Sequence, residues 1–487
     1  MRREAGRMAM AIAAVLVMLV GCGKAVTGSA KAEGEIDAGT VAGLQVTDDS
    51  QVPSGLRPDA PPPGLAADNA DNGEMDQLAL AAVADLYEYW GKEMPADFDG
   101  QKFTPLAKLT SYDSKGKGLQ LCQTSTAGLV NAFYCSLDDS ISWDRGVLLP
   151  ELSKKFGKMS VVTVLAHETG HAVQFKLGPK SNITQATKTI VKENQADCYA
   201  GAFFRWIADG KSKRFQISTG EGLNRILATM FFIRDPVGTD ANKSGAHGLA
   251  WDREFGFQAG FTDGPKRCAK IDQAEIDSRV KEQDYAENDK LRGDVPVDDK
   301  HIKELQISLD AAFKQSGSTP PKIVDNGSKC SSSRTTTPAA FCPGENIVAI
   351  DRAALAKLGT PPKRGQGQEP GADGVGIGDF AAFAEIASRY TLSVQKANNL
   401  KLDDEKAALR TACLVGAWAN VAQQPGQGDN VLRMSPGDLD EAVAEMLMGK
   451  SLIAADINGS PVRAGFARVE AFRLGFTSAK ECTARFT

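Results

Sequence analysis

The stretch Val161-Val162-Thr163-Val164-Leu165-Ala166-His167-Glu168-Thr169-Gly170-His171-Ala172-Val173-Gln174-Phe175-Lys176-Leu177 decides how the rest of the chain is read. Ser160 stands where an N-cap belongs and Gly178-Pro179 end the run, so the pattern predicts a buried helix. Histidines four residues apart share one face of a helix. Both imidazoles can therefore reach one zinc ion while Glu168 points toward a metal-activated water. The chain has only 4 histidines, which makes a chance match rare against the plainer reading of two structural histidines in a core helix. The apolar flanks also suit a metal site, because a dry setting strengthens its electrostatics.

Two imidazoles are too few for a catalytic zinc, which takes three protein ligands and leaves one position open. Gln174 and Leu177 stand where the metzincin extension needs Gly and His, so that class is excluded. A second helix, predicted over residues 191–209, carries Glu193-Asn194-Gln195-Ala196-Asp197, which resembles the Glu-x-x-x-Asp of gluzincins. In that pattern Glu193 is the third ligand, and Asp197, one turn later, accepts the spare N–H of a ligating histidine. The reverse assignment, with Asp197 ligating, stays open at this level.

At the amino terminus, Arg2, Arg3 and Arg7 precede an apolar run over residues 8–20, too short to span a bilayer. Residues 1–21 are expected to be a signal peptide. Leu19-Val20-Gly21-Cys22 resembles a lipobox, which makes Cys22 the expected lipid anchor, with simple secretion as the alternative. Residues 22–73, rich in Gly, Ala, Asp and Pro, are read as a flexible tether. Eight cysteines remain in an oxidising compartment. Cys122 and Cys135 are expected to face each other across a β-hairpin formed by residues 119–124 and 132–136.

Features of the first half recur in order in the second. Cys330, Phe341-Cys342 and residues 347–351 follow the pattern of Cys122, Tyr134-Cys135 and residues 141–144. Residues 165–174 align with 386–395, 196–202 with 411–417, and 253–268 with 468–482. Shared order argues for two copies of one module. Cys198 to Cys268 spans 70 positions and Cys413 to Cys482 spans 69, while Cys122 to Cys135 and Cys330 to Cys342 span 13 and 12. One pairing scheme used twice accounts for these numbers. In the second copy Ser388, Arg389 and Leu392 replace His167, Glu168 and His171, while Ala412 replaces Asp197 and Val462 falls near His247. Chemistry is therefore expected only in the first copy. The domain reading is a module over 74–270, a charged linker over 271–300 and a degenerate copy over 301–487. The expected fold class is α+β, a mainly helical zincin-like module with a small hairpin or sheet, duplicated in tandem.

The segment 167–174, Glu193 to Gly201, His247-Gly248, and Arg253 to Gly260-Phe261 followed by Cys268 together resemble the neutral zinc metallopeptidase family over roughly residues 76–270. Asn194 departs from the apolar residue common there. With the lipobox and the second half, the whole chain resembles actinobacterial lipoprotein peptidases. The resemblance implies one Zn2+ per chain, peptide-bond hydrolysis with Glu168 as general base, and a peptide or protein substrate in the cell envelope. It also implies a location at the extracytoplasmic face of the cell membrane, held there through Cys22. His247, in a polar loop over residues 235–248, is the candidate donor to the oxyanion. Arg253 is read as structural, pairing with Asp197 or Asp252, because Arg468 keeps the position in the copy without a site. The rival reading is a non-catalytic binding or scaffold lipoprotein. A formal charge of -5 over 487 residues leaves no basic footprint, so no nucleic-acid partner is expected.

Overall fold

The computed structural model describes residues 36–236, 246–279, 294–331, 335–361, 376–423, 432–435 and 437–486. The signal segment and Cys22 lie outside them, as do residues 280–293 of the charged linker and the Gly/Pro-rich residues 362–375. In the first half the elements run β1 (Thr40–Val41), β2 (Leu44–Gln45), β3 (Gly55–Leu56), α1 (Glu74–Asp97), β4 (Lys108–Tyr112), β5 (Gln120–Leu121), β6 (Thr124–Ser125), β7 (Ala132–Cys135) and β8 (Ser140–Asp144). Then come α2 (Leu148–Phe156), α3 (Met159–Leu177), α4 (Thr189–Ala208), β9 (Phe215–Gln216), α5 (Glu221–Phe232), α6 (Ala250–Asp263), α7 (Pro265–Cys268) and α8 (Gln273–Arg279). The second half has α9 (Asp299–Ala312), β10 (Lys322–Asp325), β11 (Ala339–Cys342), β12 (Ile347–Ile350), α10 (Arg352–Leu358), α11 (Asp379–Ala397), α12 (Glu405–Ala422), α13 (Asp438–Met446), α14 (Gly465–Thr477) and α15 (Glu481–Arg485). The class is α+β, with helices forming the core and sheets of two or three strands.

Strand β8 is buried at every residue and forms the middle of a three-stranded sheet, pairing in parallel with β4 and antiparallel with β7. This corrects the expected hairpin. Residues 120–121 fold back onto 124–125 instead, and the partner of 132–135 is the following strand. Alternating apolar residues do not name their partner, and a parallel neighbour 32 residues away has no local turn to announce it. The second half repeats the order, with β12 between β10 (parallel) and β11 (antiparallel).

The tether reading needs correction from Ile36 on. Ile36 and Val41 are buried, β3 pairs with β9, and Thr47 and Thr219 exchange backbone and side-chain hydrogen bonds. Short apolar residues spaced by Gly and Asp pack here as a strap over α5, where composition alone suggested solvated chain. Among the described residues no helix is long and apolar enough to cross a membrane.

Helix α3 begins at Met159, one residue before the predicted cap, and Ser160 inside it donates its hydroxyl to the Gly157 carbonyl. Nearly all of α3 is buried. Helices α4 and α6 pack backbone to backbone through Gly201 and Gly260. A Cβ added at Gly260 would lie 1.7 Å from the Cys198 carbonyl oxygen, and one at Gly201 would lie 1.9 Å from that of Phe257. Gly475 and Gly416 make the same crossing between α14 and α12, at 1.6 Å and 2.0 Å. The backbone itself is the obstacle, so no rotamer change relieves it. Gly260→Ala is expected to destabilise the fold by about 3 kcal/mol, measured by chemical denaturation.

Four disulfides brace the halves: Cys122–Cys135, Cys198–Cys268, Cys330–Cys342 and Cys413–Cys482. The second ties α4 to α7 and the fourth ties α12 to α15.

Candidate metal centre

Helix α3 presents His167 and His171 one turn apart, and α4 presents Glu193 and Asp197 one turn apart. Gly170 lets the two helices meet, since a Cβ there would lie 2.8 Å from the Ala196 Cα. At that separation Glu193 Oε2 reaches His167 Nε2 at 3.2 Å and His171 Nε2 at 3.4 Å. One ligand atom from each of His167, His171 and Glu193 lies within 4.8 Å of the others.

Partners on the far side of each ring fix its orientation. His167 Nδ1 meets Asp197 Oδ1 at 2.6 Å, and His171 Nδ1 meets Gln174 Oε1 at 3.1 Å. Asp197 therefore occupies the outer face of His167, and the carboxylate on the ligand side is that of Glu193. Arg253 Nη2 donates to the same Asp197 oxygen at 2.9 Å, and both side chains are essentially buried. Of the two acidic partners considered for Arg253, the structure pairs it with Asp197. Gln174 was legible only as the residue that excludes one zincin class. Its position three residues after His171 on the helix was the available sign of its second role.

Glu168 is 7% exposed, and its Oε2 accepts the backbone N–H of Tyr134 on β7 at 2.9 Å. The edge strand thus aims this carboxylate. His247 lies beside the cluster, with ring centroids 6.2 Å from His167, and is partly exposed. Asp235 Oδ2 holds the backbone N–H groups of His247 at 2.6 Å and Gly248 at 2.8 Å. Sequence reading did not find Asp235. The Asp-Pro that ends α5 reads as a helix breaker, which masks its use as an anchor.

The electrostatics of the cluster call for positive charge. Burial disfavours a charged His167, yet the Asp197 and Glu193 carboxylates outweigh it and raise its pKa to about 10. His171 is raised in the same sense, with burial opposing and Glu193 prevailing. Burial alone would raise Glu193, but the facing imidazoles hold it well below the usual carboxylate range. A divalent cation meets the same demand as the two added protons. With two imidazoles and one carboxylate the donor set suits zinc. A second acidic group, Asp294, Asp379 and Glu441, has no imidazole and does not suit it.

Arg389 is the residue of the second half that sequence order sets against Glu168. It is fully buried and donates to the carbonyls of Asp456, Leu452 and Ala455. A guanidinium spent on three carbonyls takes no part in proton transfer.

An imidazole pair on one helix, a carboxylate from the next and a second carboxylate aimed from the side make an arrangement that suits a zinc ion. Residues 34–271 match the family described as "Putative neutral zinc metallopeptidase". An uncharacterized protein from Mycobacterium bovis and two from Mycobacterium tuberculosis are each 28% identical to the chain over 167 residues, covering 30% of this chain and 57% of theirs. The match thus spans little more than half the length of these relatives. No solved structure matches the chain.

Proposed function

We propose that the chain is a membrane-anchored, extracytoplasmic zinc metallopeptidase, lipidated at Cys22, whose first half hydrolyses peptide bonds and whose second half is a degenerate copy of the first. The observation that carries the reading is the convergence of His167, His171 and Glu193 beside a separately held Glu168. His167, His171 and Glu193 would hold one zinc ion. When bound, zinc supplies the Lewis acidity for attack on an amide carbonyl.

The chain's own residues do the rest. Asp197, fixed by Arg253, holds the Nδ1 proton of His167 and leaves Nε2 free toward Glu193. Gln174 does the same for His171. Glu168 takes the proton from the attacking water and delivers it to the leaving amine. His247 donates to the oxyanion as it forms. The sheet order leaves β7 at the edge beside Glu168, so an extended peptide added to that edge would cross the cluster.

A peptide-library digest of wild type against Glu168→Gln tests the proposal. Cleavage by the wild type alone supports it. Equal cleavage by both, or by neither, contradicts it.

A further inference from the structure

The described residues that flank His247, namely Arg234 and the start of α6, are held by a side chain of the other half. Asp440, on α13, is buried, and its carboxylate accepts three hydrogen bonds. Its Oδ2 accepts from Arg234 Nε at 3.0 Å and from the Ala250 N–H at 3.1 Å, while Oδ1 accepts from the Trp251 N–H at 3.0 Å. Arg234 directly precedes Asp235, and Ala250 and Trp251 open α6 just after His247-Gly248. Asp235 in turn grips the N–H groups of His247 and Gly248, and its own N–H donates to the Gly248 carbonyl at 3.0 Å. Hydrogen bonds joined by short stretches of backbone thus link α13 to the backbone of His247, whose ring lies beside the zinc ligands. Those made to Asp440 and Asp235 involve a carboxylate, the stronger kind.

The contact has a counterpart. Asn224, on α5 of the first half, accepts the Gly465 N–H at the start of α14 at 2.6 Å and donates to the Arg463 carbonyl at 3.0 Å. Ring contacts reciprocate in the same way, with Trp251 against Phe476 at 5.6 Å and Phe261 against Phe466 at 5.4 Å. Arg473 and Gln258, at matching places on α14 and α6, meet each other. This is the pattern of a self-complementary, two-fold interface between like partners. Each half caps the late helix of the other, but only one of the two caps borders residues of the metal centre. The segment before α14 has Val462 in the place of His247.

We infer that Asp440 is a positioning residue for His247, and that the second half serves as a captive partner completing the site of the first. The inference rests on the proposed peptidase reading for its catalytic consequence and on geometry alone for its structural one. Hydrogen exchange on the full chain separates the two. Asp440→Ala is expected to speed exchange at the His247 and Gly248 amides by about tenfold or more while leaving the amides of α3 unchanged. Asp440→Asn, which keeps the shape but loses the charge, shows the same pattern at smaller size and serves where the alanine variant fails to fold.

Asn224→Ala, which loosens the reciprocal cap, is expected to raise exchange near Gly465 and leave His247 protected. In turnover, Asp440→Ala lowers kcat about tenfold at unchanged zinc content and KM, and adds nothing in a His247→Ala background. Unchanged protection at His247 and Gly248, or a loss of kcat that persists in full without His247, overturns the inference. A wild-type chain that hydrolyses nothing counts against the peptidase reading, and the exchange result still decides the role of Asp440.

Discussion

Glu168→Gln retains zinc and loses peptide hydrolysis by about a thousandfold in kcat. The two halves of that expectation have separate physical sources. Zinc is retained because Glu168 is outside the group formed by His167, His171 and Glu193. The fold is retained because the amide oxygen of glutamine can still accept the Tyr134 N–H that the carboxylate accepts at 2.9 Å. What the amide cannot do is take up a proton near neutral pH, so the base is lost with little change in shape. The loss falls on proton transfer, and KM should move little. Steady-state kinetics beside elemental analysis of the same preparation check both halves. A variant that loses its metal together with its activity would show Glu168 to be part of the binding site.

Glu193→Ala has the opposite signature, with metal binding failing first. Removing a residue that only orients a ligand typically costs about 10–100-fold in metal affinity. Loss of a ligand leaves two imidazoles and is expected to exceed that range. Asp197→Asn supplies the comparison, because it keeps the side chain's shape against His167 and Arg253 and should stay within the smaller range. Competition against a chromogenic zinc chelator ranks the three proteins. If the alanine variant bound zinc as tightly as the asparagine one, Glu193 would not be a ligand, and the reversed assignment to Asp197 would return. The geometry speaks against that reversal, since Asp197 faces His167 Nδ1 while Glu193 faces Nε2 of both rings.

Much of the site was legible because it is local. The histidine pair and the Glu193–Asp197 pair are each one helical turn apart, and helical periodicity places each pair on one face without knowledge of the fold. The cysteine pairs were legible through their recurring intervals. Gly201 with Gly416 and Gly260 with Gly475 recurred as well, but their meaning as backbone contacts needed the helix crossings.

What escaped the sequence depends on distant partners. Strand β8 chooses β4 as a parallel neighbour across 32 residues. Residues 36–73 look like solvated chain until the surface they cover is known. Asp440 lies 206 positions from Arg234, on a helix that shows no chemistry of its own.

The central claim is that the first half of the chain hydrolyses peptides with zinc held by His167, His171 and Glu193. Its most direct test is a peptide-library digest by the wild-type chain before zinc removal, after chelation, and after return of one equivalent of Zn2+. The account predicts cleavage products that disappear on chelation and return with the metal. Products that persist in the zinc-free chain, or an absence of products in all three states, would contradict it.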